Sequence, residues 1–318
     1  MFEEFFSKEK SVINGRDAIV VTVPGSYDLR DTLECGQCFR YEAVAHDGEY
    51  SEYIIPVGDV LICVGQKKRG ELIFYGASDE EFETVIRPYF TLDTDYEKIR
   101  NDIISRTDSE WLKSAAECAK GIAILKQEPW ETLFSFIISQ NNNIPRIRKI
   151  IREICAAYGV NISLQNCAQK CPANKIDGTP CEEKCKNCGI CYTFPKPKDI
   201  LKNPDAMLPS HPGFRYRYLL DAAEKVDTGA VNLEMIAAAR SYTHTVECLT
   251  KIVGVGEKVA SCTALFGFAN LEAFPIDVWM KRAINDYFDG HLDPTTLGRY
   301  AGVAQQYIFH YIRNIENA

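Results

Sequence analysis

No run of apolar residues in this 318-residue chain approaches the ~20 needed for a bilayer-spanning helix, which argues against an α-helical membrane protein, and no membrane partner is expected. The opening MFEEFFSKEK carries acidic side chains where a secretory signal would be basic and then apolar. The expectation is a soluble, cytoplasmic protein. Internal repeats and low-complexity tracts are missing too, so solenoid, collagenous and disordered classes drop out. An excess of positive charge is also absent. With 36 Lys and Arg against 44 Asp and Glu the net charge is −8, and taken whole this argues against a nucleic-acid binder. The distribution weakens that objection, because residues 1–100 sum to −9 and the remainder to +1, with +3 over residues 141–155 alone. Such asymmetry suggests two domains with different partners.

Cysteine is what the chain has in plenty, 13 residues, six of them within 25 positions: Cys167, Cys171, Cys181, Cys185, Cys188 and Cys191. The other seven are scattered, which fits small buried hydrophobes in a reducing compartment better than a disulfide framework. The C-x3-C-x9-C-x3-C-x2-C-x2-C cassette supplies three close pairs, and four of the six thiolates could hold one structural zinc ion. An iron–sulfur cluster, or no metal and redox disulfides, are the alternatives.

The runs AIVVTV (18–23), CFRYEAVA (38–45), YIIPVGDVLICV (53–64) and ELIFYGA (71–77) read as strands punctuated by Gly, Pro and Asp. From about residue 96 the period becomes helical; Ile147, Ile150, Ile151, Ile154 and Cys155 mark one helix face, with Arg148, Lys149 and Arg152 on the other. The expected architecture is α+β: an N-terminal antiparallel domain over 1–110, then a helical domain over 111–318 that carries the Cys-rich insertion at 163–194.

Residues 249–260 (LTKIVGVGEKVA) read as helix, tight turn, helix. Gly254 and Gly256 would let the backbone approach a ligand closely, and the N-terminus of the second helix can receive a phosphate. An ordinary helical hairpin with a Gly cap is the plain alternative. Nineteen residues beyond Lys258, the segment FPIDVW places the single carboxylate of Asp277 at the head of a helical run.

GVGEKVA followed by PIDVW resembles the helix-hairpin-helix Gly/Pro–Asp signature of the endonuclease III superfamily of DNA glycosylases. Four further stretches, CGQCFRY (35–41), LFSFIISQNNNIPRI (133–147), GFRYRY (213–218) and AQQYIF (304–309), resemble the 8-oxoguanine DNA glycosylases within it. The resemblance implies a TATA-binding-protein-like N-terminal domain, a double-stranded DNA partner with 8-oxoguanine opposite cytosine, a monomer, nucleoid association if the source is prokaryotic, and no catalytic cofactor. It casts Lys258 as the nucleophile on the sugar C1′ and Asp277 as the carboxylate that stabilises developing positive charge. Cys262, one helical turn past Lys258, and Phe309 would sandwich a flipped base, with Pro275 and Gly36 in the same pocket and Gln305 reading its Watson–Crick edge. Gly36 would present a backbone carbonyl to N7–H, a donor that guanine lacks. Asn141 and Asn142 would fill the vacated stack, Arg146 and Arg215 would reach the orphaned cytosine, and Phe214 would wedge beside it. Arginine contacts to phosphate are the competing reading for the last pair.

The chain departs from the family pattern where Trp279 replaces a His and Ile312 stands at its carboxylate partner's place. The C-terminal cluster cysteines of endonuclease III are not found. Two other function classes stay open: a monofunctional alkylated-base glycosylase, which lacks the nucleophilic Lys, and a non-catalytic helix-hairpin-helix DNA-binding module, which would not need Asp277.

Overall fold

The computed structural model describes residues 5–46, 48–162 and 190–316. Cys167, Cys171, Cys181, Cys185 and Cys188, with most of the expected 163–194 insertion, lie outside the described residues. Six strands, β1 (Ser7–Ile13), β2 (Arg16–Thr22), β3 (Glu42–His46), β4 (Ser51–Val57), β5 (Val60–Gln66) and β6 (Glu71–Tyr75), form one sheet. The order is β1-β2-β6-β5-β4-β3, antiparallel throughout.

The strands differ from the sequence runs for two physical reasons. The run 53–64 is a hairpin, not one strand: β4 and β5 turn at Gly58, whose φ is +59°. Both strands are buried on their two faces, so the apolar run shows no alternation to mark the break. β1 lies outside every run read as a strand, because its exposed, charged sequence SKEKSVI is that of a protected sheet edge. Asn14-Gly15, at φ +54° and +71°, is the turn signal that marks it. Of the run 38–45 only the end is strand; Cys38, Phe39 and Tyr41 are buried in a loop.

One sheet face packs Ile19, Val21, Ile55, Ile62, Val64, Leu72 and Phe74 against Phe82 and Phe90. The other packs Ala18, Leu61, Cys63 and Tyr75 against Ile162, Ile190 and Cys191, the two ends of the insertion. A bridge between Asn161 and Tyr192 ties those ends together.

Helices α1 (Leu29–Glu34), α2 (Asp79–Glu81) and α3 (Arg87–Tyr89) belong to the sheet half, with a π turn at Phe82–Ile86 joining the last two. The helical half holds α4 (Tyr96–Ser105), α5 (Glu110–Cys118), α6 (Pro129–Ser139), α7 (Ile144–Tyr158) and α8 (Pro197–Lys202). Beyond them lie α9 (Tyr216–Asp227), α10 (Leu233–Ala239), α11 (Tyr242–Leu249), α12 (Glu257–Gly267), α13 (Val278–Tyr287) and α14 (Ala301–Glu316). The cores interleave along the chain: Ile99, Ile103, Leu112 and Ala116 of α4 and α5 join the helical core, whereas Ala123 and Leu125 after them join the sheet core. α6 and α12 are the buried central pair. Among the described residues no helix is long and apolar enough to cross a membrane.

Candidate active site

A cleft of about 770 Å³ opens where α6, α12, α13 and α14 meet the loop after α1. Lys258, Cys262, Pro275, Asp277, Gln305, Phe309, Gly36, Asn141 and Asn142 all line it, although they come from five separate stretches of chain.

Each side chain is there for a local reason. Lys258 is the second residue of α12, so it emerges at the helix mouth, half-buried. Its Nζ lies 3.4 Å from Ser139 Oγ at the end of α6 and 5.2 Å from the centre of the Phe136 ring. The Ser139 hydroxyl donates to the Phe136 carbonyl at 2.7 Å, which leaves its lone pairs for the amine. Phe136 itself is braced by Phe39 edge-on and Phe266 stacked, both with centroids 5.5 Å away, so the floor beneath the amine is rigid and apolar. Cys262 sits below Lys258; burial pushes its thiol up to about 11, with Lys258 opposing that rise and Asp277 adding to it. Asp277 caps α13, its Oδ1 accepting from the Met280 amide at 2.8 Å, and one carboxylate oxygen is left for chemistry.

Gly36 has φ +84°, and a Cβ there would touch Ile144 and Phe309 at 3.6 Å. The loop is pinned by Gln37, fully buried, whose side chain bonds the Thr32 and Ala123 carbonyls and the Leu125 amide at 2.7 to 2.8 Å. The Asn triplet divides into three backbone tasks. Asn141 takes φ +48° to leave α6, Asn142 donates back to the Ile138 carbonyl at 3.2 Å, and Asn143 caps α7 through the Arg146 amide at 3.0 Å.

Arg146 and Arg215, expected as a pair, have different environments. Arg146 is exposed on α7. Arg215 is 3% exposed and donates to the carbonyls of Gln140, Asn141 and Pro212. Burial first and then the nearby Arg146 guanidinium lower its pKa. In this structure Arg215 therefore braces the Asn turn instead of reaching outward, a role that no local sequence pattern reveals. Phe214 beside it is 49% exposed, edge-on to Tyr218.

The hairpin glycines also separate. Gly254 has φ +80° and faces the Tyr218 ring so closely that a Cβ would fall 2.4 Å from it. On its Cβ side the close approach is to Tyr218. Gly256 caps α12 with open space around it, and that is where the backbone is free to receive a phosphate. Asp221 and Lys225 of α9 tether the turn through the Val253 amide and the Lys251 carbonyl, both at 2.7 Å.

Trp279 lines the cleft and Ile312 is fully buried, so both departures are absorbed by apolar packing. Cys191, the one cassette cysteine described, is 1% exposed against the outer sheet face. Among the described residues no group of three or more His, Cys, Asp or Glu is placed to hold a metal. Ser139, which pairs with Lys258 across 119 positions, carries no sequence signal, and Gln306, adjacent to Gln305, is the neighbour that leaves the register of the base-reading amide open in the sequence.

Residues 20–133 match the family model described as 8-oxoguanine DNA glycosylase, N-terminal domain. The chain is 27% identical over 285 residues to the N-glycosylase/DNA lyase of Saccharomyces cerevisiae, covering 81% of this chain and 68% of that protein. It is 24% identical to the probable N-glycosylase/DNA lyase of Methanothermobacter thermautotrophicus, over 91% and 94% of the two chains. Among solved structures, the Clostridium acetobutylicum 8-oxoguanine glycosylase/lyase in complex with double-stranded DNA, cytosine opposite 8-oxoguanine, superposes with a TM-score of 0.79. That likeness holds at 30% identity over 98% of this chain and 99% of the other. A 3-methyladenine DNA glycosylase from Archaeoglobus fulgidus shares the fold at a TM-score of 0.64 and 16% identity, over 94% and 99%.

Proposed function

The chain belongs to the 8-oxoguanine DNA glycosylase family, and on that premise we propose that it excises 8-oxoguanine from duplex DNA and then nicks the strand, both through Lys258. The observation that carries this reading is the placement of Lys258 Nζ at the cleft, 3.4 Å from Ser139 Oγ, with Asp277 lining the same cleft. The damaged nucleotide swings out of the helix into the cleft, between Cys262 and Phe309. The Lys258 amine forms a bond to C1′ as the C1′–N9 bond breaks, and the base leaves with a proton. Asp277, its second oxygen open, stabilises the positive charge that builds on the sugar. Ring opening gives an imine; removal of a C2′ proton then expels the 3′ phosphate, and the strand is cut. Selection against guanine rests on the Gly36 carbonyl, which accepts from N7–H of the oxidised base and would face a lone pair on the normal one.

Preference for cytosine opposite the lesion is part of the proposal, supported by Arg146, exposed in the first turn of α7. For the cassette, the proposal is one structural zinc ion held by four of the six cysteines, supported by their spacing; a folded preparation free of metal by elemental analysis overturns it.

The central test is incubation with a duplex carrying 8-oxoguanine in the presence of borohydride, which reduces a protein–DNA imine to a stable secondary amine. Wild-type protein is expected to become covalently joined to DNA and Lys258→Gln is not. Undiminished trapping by Lys258→Gln removes Lys258 from the mechanism.

A further inference from the structure

Gln305 and Gln306 stand side by side on α14; both line the cleft, and they are 3% and 4% exposed. Gln306 Nε2 donates to Gln305 Oε1 at 2.8 Å. The other end of the second amide, Gln306 Oε1, is buried and has no hydrogen-bond partner among the described residues. Buried amide oxygens are nearly always paired, so one without a partner, on a residue of the cleft wall, matches a donor that the ligand brings as it enters and the side chain turns toward it.

We propose that Gln306 is a second base-reading amide, its Oε1 accepting from the exocyclic amine of the flipped 8-oxoguanine while Gln305 Oε1 accepts from ring N1–H. This rests on the reading of the cleft as the base pocket. The lone pairs decide the division. Gln305 Oε1 has already given one to Gln306 and keeps one, which suits the single N1–H. Gln306 Oε1 has both open, and the amine next to N1 carries two hydrogens. An oxidised adenine presents an acceptor at N1, which would oppose the Gln305 oxygen, so the tandem amides select the guanine-type edge.

The test is single-turnover excision from duplexes carrying either 8-oxoguanine or 8-oxohypoxanthine, which keeps N1–H and lacks the amine. Wild-type protein should favour 8-oxoguanine. Gln306→Met, unbranched and of similar length, should shrink that ratio roughly ten-fold, since a buried hydrogen bond is removed for one base only. Being a ratio, the readout cancels any loss of folded protein. A Gln306→Met ratio equal to that of wild type overturns the inference. Wild-type protein that excises neither base overturns the base-pocket reading itself, a distinct result.

Discussion

Replacing Gly254 by alanine should cost stability twice, and the two costs can be separated. At φ +80° the backbone is in the left-handed region, where a side chain adds about 1–2 kcal/mol. The new Cβ would also sit 2.4 Å from two ring atoms of Tyr218, well inside contact distance. Tyr218 cannot step aside freely, with Phe214 edge-on at 5.9 Å and the Arg217 guanidinium 5.0 Å from the ring centre. Overpacking of this kind costs about 1–3 kcal/mol. Gly254→Ala is therefore expected to lose about 2–5 kcal/mol in urea denaturation. In a double-mutant cycle with Tyr218→Ala the steric part should vanish, giving a favourable coupling of about 1–3 kcal/mol and leaving only the backbone part. Gly256→Ala is the control. It has φ outside the left-handed region and nothing within 4 Å, so it should lose at most about 1 kcal/mol as a poorer cap, while weakening DNA binding. Strict additivity of Gly254→Ala and Tyr218→Ala, or equal stability of the two glycine variants, would refute the packing argument.

Gly36→Ala should cost about 1–2 kcal/mol for its φ of +84° and slow 8-oxoguanine excision well beyond that, because its methyl group would touch Phe309. Gly36→Asn, tolerant of that φ, should recover stability but not excision; recovery of both would reduce Gly36 to a turn residue. Arg215→Ala should lower thermal stability by about 1.5–3 kcal/mol and depress activity alike opposite all four bases, since the Gln140 and Asn141 carbonyls lose their donor. Arg146→Ala should leave stability unchanged and flatten the opposite-base preference by about 1–3 kcal/mol. The division of labour fails if Arg215→Ala stays stable and alters only that preference. At pH 8 the Cys262 thiol, pushed up to about 11, is almost wholly protonated, so in native protein Cys262 should react with iodoacetamide there only slowly, and faster toward pH 11, while exposed Cys118 is labelled independently of it. Rapid labelling of Cys262 itself at pH 8, read by peptide mass spectrometry, would contradict that environment.

Short spacing along the chain encodes much of the chemistry. Lys258 and Cys262 are one helical turn apart, Asp277 heads its helix as a capping residue must, and Gly36 stands in a loop whose backbone requires it. Their family resemblance survives because local geometry and catalysis ask for the same residues. The β4–β5 break was hidden for the opposite reason: a sheet buried on both faces removes the alternation from which strands are read. Which partners distant segments supply depends on how the helices pack. Ser139 reaches Lys258, Tyr218 fills the space that makes Gly254 obligatory, and Arg215 turns inward to hold the Asn141 turn. Those contacts depend on helix crossings, and a single chain read residue by residue has no period that records which side chains a crossing brings face to face.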